Sequence, residues 1–156
     1  MVSFLAPANV GEKAPDFKLL SQDGVNVTLS QFLGKKNVVL YFYPKDESPG
    51  CTKEACHFRD RYEMFKEKGA EVVGVSSDSV ESHKLFAEHY SLPFTLLSDS
   101  ENLVRKLYGV PSTMGILPGR VTFVIDKNGI VRHIFSSQHE PEKHIEEAIK
   151  ILDKIE

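Results

Sequence analysis

Both cysteines of the chain, Cys51 and Cys56, lie in one stretch, Tyr43-Pro44-Lys45-Asp46-Glu47-Ser48-Pro49-Gly50-Cys51-Thr52-Lys53-Glu54-Ala55-Cys56. Cysteine attacks as its thiolate, so what matters is what lowers its pKa. From Cys51 onward the residues are helix formers, with Ala55, Phe58, Tyr62 and Phe65 on one face and Arg59, Lys66 and Glu67 largely off it. This predicts a helix opening near Cys51, with Ser48 as N-cap, Pro49 at the first helical position, and Lys66, Lys68 and Gly69 marking its end. Cys51 then sits in the first turn, where free backbone N–H groups and the positive end of the helix dipole favour an anion. A partly buried helix terminus contributes up to ~2 kcal/mol and one pKa unit is worth about 1.4 kcal/mol, so the dipole lowers a cysteine of pKa ~8.5 by roughly a unit. Partial burial opposes that. A thiolate at neutral pH therefore needs a cation as well, from Lys45, Lys53 or an arginine elsewhere in the chain. An arginine fits best, because its planar fork holds a sulfur and a substrate oxygen together.

The spacing of the cysteines carries a second message. Five residues along an intact helix separate their Cα atoms by roughly 8.7 Å, whereas a disulfide tolerates at most about 7 Å. The sulfurs can join only if the opening of the helix unwinds, which suits a redox cycle and not a permanent staple.

Several elements must position these groups. Val38-Val39-Leu40-Tyr41-Phe42-Tyr43 is continuously apolar, as expected of a strand buried on both faces of a mainly parallel sheet, and Pro44 stops it. Upstream, residues 1–15 read as an extended arm. Asp16 to Leu20 and Val25 to Leu29 form a hairpin around Asp23-Gly24, and Ser30 caps a helical turn ending at Gly34. Downstream, a strand from Glu71 to Ser76 and a helix from Ser79 to Tyr90 continue a parallel βαβ pattern, closed by Pro93. Phe94 to Ser98 is a short extended segment, and Glu101 to Tyr108 a short helix ended by Gly109. The Gly- and Pro-rich run from Pro111 to Gly119 is either a plain connector or one wall of a substrate entrance. It leads into a hairpin of Arg120 to Ile125 and Ile130 to Phe135, and a final helix runs from Pro141 to about Lys154 over Ile145, Ala148, Ile149 and Leu152. The pattern is α/β, a mixed sheet covered by helices.

Composition narrows the function classes. At 156 residues with no compositional break, the expectation is one domain, 1–156, with residues 1–10 as the arm. A net charge of −3 and pI near 6.1, without a basic stripe, disfavour nucleic acid and anionic membrane as partners. Two closely spaced cysteines are not a secreted disulfide framework, and Cys51, Cys56 and His57 fall on different sides of a helix without an evident fourth metal ligand. No metal or cofactor is expected. The sequence as it stands has no basic-plus-apolar leader and no span-length apolar run, which points to the cytoplasm, or to an organelle if a presequence has been removed.

Pro44-x-x-x-Ser48-x-x-Cys51 resembles the Pro-x-x-x-Thr/Ser-x-x-Cys signature of the peroxiredoxins, and a second cysteine five positions on is similar to the Q-type branch, also called bacterioferritin comigratory protein. The likeness runs from about Gly11 to the C-terminus and includes Tyr41-Phe42-Tyr43-Pro44, Phe58-Arg59-Asp60, Leu117-Pro118-Gly119-Arg120 with Thr122-Phe123, and Pro141-Glu142-Lys143-His144. One departure is Ser48, where threonine is commoner, which leaves the hydroxyl rotamer less fixed. The resemblance implies a thioredoxin-like fold and a thiol peroxidase acting on hydrogen peroxide and alkyl hydroperoxides. It implies Cys51 as peroxidatic cysteine, Cys56 as resolving cysteine, Arg120 as the cation, Ser48 as a hydrogen-bonding hydroxyl and Pro44 as a shield. It also implies an intramolecular disulfide, thioredoxin or glutaredoxin as reductant, and a monomer.

Plainer readings stand beside these. Cys51 could be an inert buried thiol, though the Pro-Gly turn and helix start argue for reactivity. Cys56 on a partly apolar helix could be core, and Arg120 an ordinary surface arginine. His83, His89, His133, His139 and His144 are scattered and receive no role. A thiol-disulfide oxidoreductase would use Cys-x-x-Cys, which this spacing disfavours. A redox-regulated binding module would show oxidation-dependent partner capture with negligible peroxide turnover.

Overall fold

Val38, Leu40 and Phe42 belong to one apolar cluster and Val39, Tyr41 and Tyr43 to another, so the central strand is buried on both faces. The computed structural model describes residues 8–113 and 117–155. Its strands are β1 (Lys18–Ser21), β2 (Asn26–Thr28), β3 (Asn37–Phe42), β4 (Ala70–Ser76), β5 (Thr95–Ser98), β6 (Ser112–Thr113), β7 (Leu117–Pro118), β8 (Val121–Ile125) and β9 (Val131–Ser136). The helices are α1 (Pro49–Asp60), α2 (Tyr62–Glu67), α3 (Val80–Tyr90), α4 (Leu103–Leu107) and α5 (Pro141–Leu152). Seven strands form one mixed sheet in the order β2-β1-β5-β4-β3-β8-β9, and β6 pairs with β7 separately. Residues from α1, α2, α3 and α5 share the cluster of Val39 and Tyr41; Val104 of α4, with Phe17, Val27 and Leu29, belongs to the other. This is the thioredoxin-like α/β architecture with an N-terminal hairpin.

Register explains how the reactive stretch meets a distant arginine. The strands β3 and β4 pair in parallel through α1 and α2, while β8 runs antiparallel on the other side of β3 with Tyr41 opposite Thr122 and Phe42 opposite Val121. Continuing that register by one residue sets Arg120 level with Tyr43, where the chain leaves the sheet for the Cys51 stretch. Gly50 admits the guanidinium: a Cβ there would stand 2.9 Å from Arg120 Nη2.

Three local expectations are corrected. The predicted single helix breaks at Arg61, whose φ of −106° and ψ of 8° leave the helical region; its N–H is shared between the His57 and Phe58 carbonyls, and Phe58 and Phe65 on the two sides of the break are both fully buried. Ser48 occupies the N-cap position in extended conformation, but its side chain does not cap; its hydroxyl donates to the Lys45 carbonyl at 2.9 Å, and its own carbonyl accepts from the Thr52 N–H. Ser30 does not cap its turn (Ser30–Phe32) either, because Thr28 Oγ1 accepts from the Gln31 N–H. Of the expected N-terminal arm, residues 1–7 lie outside the described residues. The part from residue 8 is tied down: Gly11 N–H donates to Val131, Ala14 N–H to Gly129, and Ala8 is buried. In the 111–119 stretch, residues 114–116 likewise lie outside the described residues.

Candidate active site

Cys51 is 1% exposed in the first turn of α1, and Arg120 Nη1 lies 3.5 Å from its sulfur. Arg120 is itself buried, which corrects the plain reading of a surface arginine. Lys45 and Lys53 are exposed. The same Nη1 lies 2.6 Å from Glu54 Oε1, and Nε donates to the Gln138 carbonyl at 3.2 Å. One guanidinium therefore faces two acids, with the shorter contact to the carboxyl.

The electrostatics follow from that sharing. Burial pushes the Cys51 thiol up; Arg120, the Ser48 hydroxyl and the Lys45 backbone pull it back; Glu54 adds to the rise, and the net is upward. The helix start and the Arg120 cation favour the thiolate, while desolvation of the sulfur and the sharing of that cation with Glu54 oppose it. The Ser48 hydroxyl acts on the sulfur while also meeting the Lys45 carbonyl, so its full donation to the sulfur needs it to turn from Lys45. For Arg120, burial works against the charge, but Glu54 and Cys51 more than offset it and raise its pKa. Burial raises Glu54 to about 8 against the pull of Arg120. Cys56, half-buried on another side of α1, is a free thiol raised by desolvation, lowered by Arg59 and raised by Asp60. Pro44 is half-buried at the end of β3.

Four further groups frame the site. Arg105 on α4 is buried and donates to the Gly119 carbonyl and the Tyr43 carbonyl, both at 2.9 Å, so one planar fork joins the segment before Arg120 to the one before Pro44. Behind Glu54, His144 on α5 is fully buried between Thr122 Oγ1 at 2.8 Å and the Ser137 carbonyl at 2.8 Å. Asp46, inside the reactive stretch, accepts hydrogen bonds from Tyr43, Ser82 and His83 at 2.6, 2.8 and 2.7 Å, and its backbone N–H donates to Asp78 Oδ2 at 2.8 Å. Asp46, Asp78 and His83 bring ligand-type atoms within 4.8 Å of one another, but hydrogen bonds already engage all three side chains, so the cluster fits a loop clamp better than a cation. His57 pairs with Glu146 at 2.9 Å.

Sequence reasoning missed Glu54, Arg105, Asp46, His83 and His144. For two of them a signal existed: Glu54 falls three residues after Cys51 on the buried face of α1, and His144 falls one turn before Ala148 on that of α5. A surface depression of about 600 Å³ between Lys68, Asp126 and Asp153 includes none of the groups around Cys51.

The AhpC/TSA family model matches residues 10–134. The chain is 58% identical to peroxiredoxin Q, chloroplastic, of Sedum lineare over 154 residues, covering 98% of this chain and 82% of that one. The chain belongs to the peroxiredoxin Q family. A crystal structure of the peroxidoxin BcpB of Mycobacterium tuberculosis superposes with a TM-score of 0.88 at 39% identity, covering 96% of this chain and 99% of that one. A cysteine-to-serine mutant of PrxQ from Xylella fastidiosa gives 0.87 at 29% identity, covering 96% and 98%. As a peroxiredoxin Q the protein is a thiol-dependent peroxidase, an antioxidant enzyme that reduces peroxides with electrons from thiols.

Proposed function

We propose that Cys51 is the peroxidatic cysteine, with hydrogen peroxide and alkyl hydroperoxides as substrates. The observation that carries this is the Cys51 sulfur in the opening turn of α1 with the Arg120 guanidinium 3.5 Å away. The thiolate attacks the terminal peroxide oxygen; the O–O bond breaks, Cys51 becomes a sulfenic acid, and the departing hydroxide or alkoxide takes up a proton. Arg120 stabilises the charge that develops on the departing oxygen. The Ser48 hydroxyl, by turning from Lys45, donates to the sulfur or the peroxide, and Pro44 shields the thiolate. The Cys56 thiol then displaces water from the sulfenic acid to give a disulfide, which an external dithiol reduces. Because α1 runs unbroken through both cysteines, their union requires its first turns to unwind. Thioredoxin, or glutaredoxin, is the proposed reductant, and a monomer suffices because both thiols belong to one domain, 1–156. The chloroplast designation of relatives from Sedum, Suaeda and Triticum supports the organellar alternative over the cytoplasm.

The test is turnover with peroxide and thioredoxin, followed by a peptide map after one equivalent of peroxide. A Cys51–Cys56 link is expected, with activity lost in Cys51→Ser and single oxidation to sulfenic or higher acid in Cys56→Ser. Normal multiple turnover in either variant would overturn the assignment of that cysteine.

A further inference from the structure

Glu54 Oε2 is fully buried and has no hydrogen-bond partner among the described residues, although its other oxygen meets Arg120. His144 Nδ1 lies 3.7 Å from it. The tautomer of His144 follows from its partners: Nε2 faces the Ser137 carbonyl, which only accepts, so Nε2 carries the hydrogen. In the neutral ring Nδ1 is then an acceptor, and Thr122 Oγ1 donates to it at 2.8 Å. If Glu54 were ionised, two buried acceptors would face each other 3.7 Å apart. A proton on Oε2 removes that conflict.

We propose that His144 is a positioning residue that keeps a proton on Glu54, so that Arg120 gives its charge to the Cys51 thiolate instead of to a carboxylate. The inference rests on Cys51 being the reacting sulfur and adds a residue, His144, that acts on it through Glu54 and Arg120. Burial, which raises Glu54 to about 8 and lowers His144 to about 4, assigns the proton to the same carboxyl at neutral pH. The 3.7 Å approach of these side chains is thus a contact between neutral groups and not an ion pair. The cluster then contains one fixed cation and two acids that share one proton, and the reactive form has that proton on Glu54 and none on Cys51.

The groups acting on this pair come from every element around it. Cys51 lies on α1 with Glu54; Arg120 and Thr122 come from the start of β8; His144 comes from α5, with Glu140 raising its pKa. Tyr41 of β3, whose hydroxyl is also without a partner among the described residues, stays neutral because burial and then Glu54 push its pKa well up. Two acids coupled through one arginine titrate as a pair, so the pH limbs of the reaction belong to both. Reaction with peroxide should rise with pH as the thiolate forms and fall, by about tenfold per unit, once the second proton leaves and Arg120 faces two anions.

The test is stopped-flow oxidation of the reduced full chain by hydrogen peroxide between pH 5 and pH 10, for the parent protein, Glu54→Gln, His144→Leu and His144→Asn. The parent should give a bell-shaped profile. Glu54→Gln should lose the alkaline limb. His144→Leu, which removes the acceptor that faces Glu54 Oε2 at 3.7 Å, should move that limb to lower pH, and His144→Asn, whose amide oxygen can occupy the Nδ1 position, should restore it. A purely structural role would lower the rate alike at all pH and leave the limb in place. An unchanged alkaline limb in Glu54→Gln or His144→Leu would overturn the proposal. Failure of the parent to consume one equivalent of peroxide would instead overturn the assignment of Cys51.

Discussion

Gly50→Ala separates activity from stability in a way the structure makes quantitative. Gly50 lies in the first turn of α1 without a positive φ, so alanine fits its backbone. In a helix, alanine in place of glycine adds about 0.5–1 kcal/mol of stability. Its Cβ, however, would stand 2.9 Å from Arg120 Nη2, while ordinary contact begins near 3.4 Å, so the guanidinium must retreat by about 0.5 Å. Arg120 cannot swing freely, being bonded to Glu54 at 2.6 Å and Gln138 at 3.2 Å. A charge-assisted hydrogen bond is worth about 1.5–3 kcal/mol, and losing half of one costs about 0.75–1.5 kcal/mol. In the ground state that loss roughly cancels the helix gain. The helix gain is common to the ground and transition states, so the rate reports only the weakened contact of Arg120 with the reacting atoms, where 1.4 kcal/mol is about tenfold. The variant should therefore melt within a few degrees of the parent and react with peroxide about three- to tenfold more slowly, read by calorimetry and by stopped-flow oxidation of the reduced protein. A parental rate constant, or a slower rate with a matching fall in Tm, would refute the claim that the position of Arg120 limits the reaction.

Other consequences are as direct. Arg105→Lys replaces a fork by a point donor that cannot reach the Gly119 and Tyr43 carbonyls together, leaving one buried acceptor unpaired. Urea unfolding should show a loss of about 1–3 kcal/mol, and a change under 0.5 kcal/mol would contradict the bridging role. Glu54 has a folded pKa raised from 4.5 to about 8, so the native state holds a proton that the unfolded chain releases first. Its contribution is intact below about pH 4.5 and is lost as pH rises through about 8. The stability of Glu54→Gln relative to the parent should accordingly increase across that window, and a difference flat with pH would show Glu54 ionised throughout. His144, lowered from 6.5 to about 4, acts in the opposite direction but is common to both proteins and cancels in the comparison.

How much of this was readable beforehand varies with the kind of interaction. Helices and strands with strong periodicity, such as α3, α5 and β3, appeared where the apolar pattern put them, since local burial alone specifies them. The cap at Ser48 did not, because the Lys45 carbonyl three residues back competed for the same hydroxyl. Nor did the break at Arg61, where the core draws Phe58 and Phe65 inward together.

From the chain alone came the two thiols, their spacing along a helix too long for a bond, and the turn chemistry that opens that helix. Those depend on neighbours in sequence, which every reader of the sequence can see. What only the folded molecule decided was the company of Cys51: Arg120 from 69 positions away, shared with Glu54, and His144 placed behind that carboxyl. Burial and charge sharing act through space, and no spacing rule reports that a cation supplied to one acid is also claimed by another.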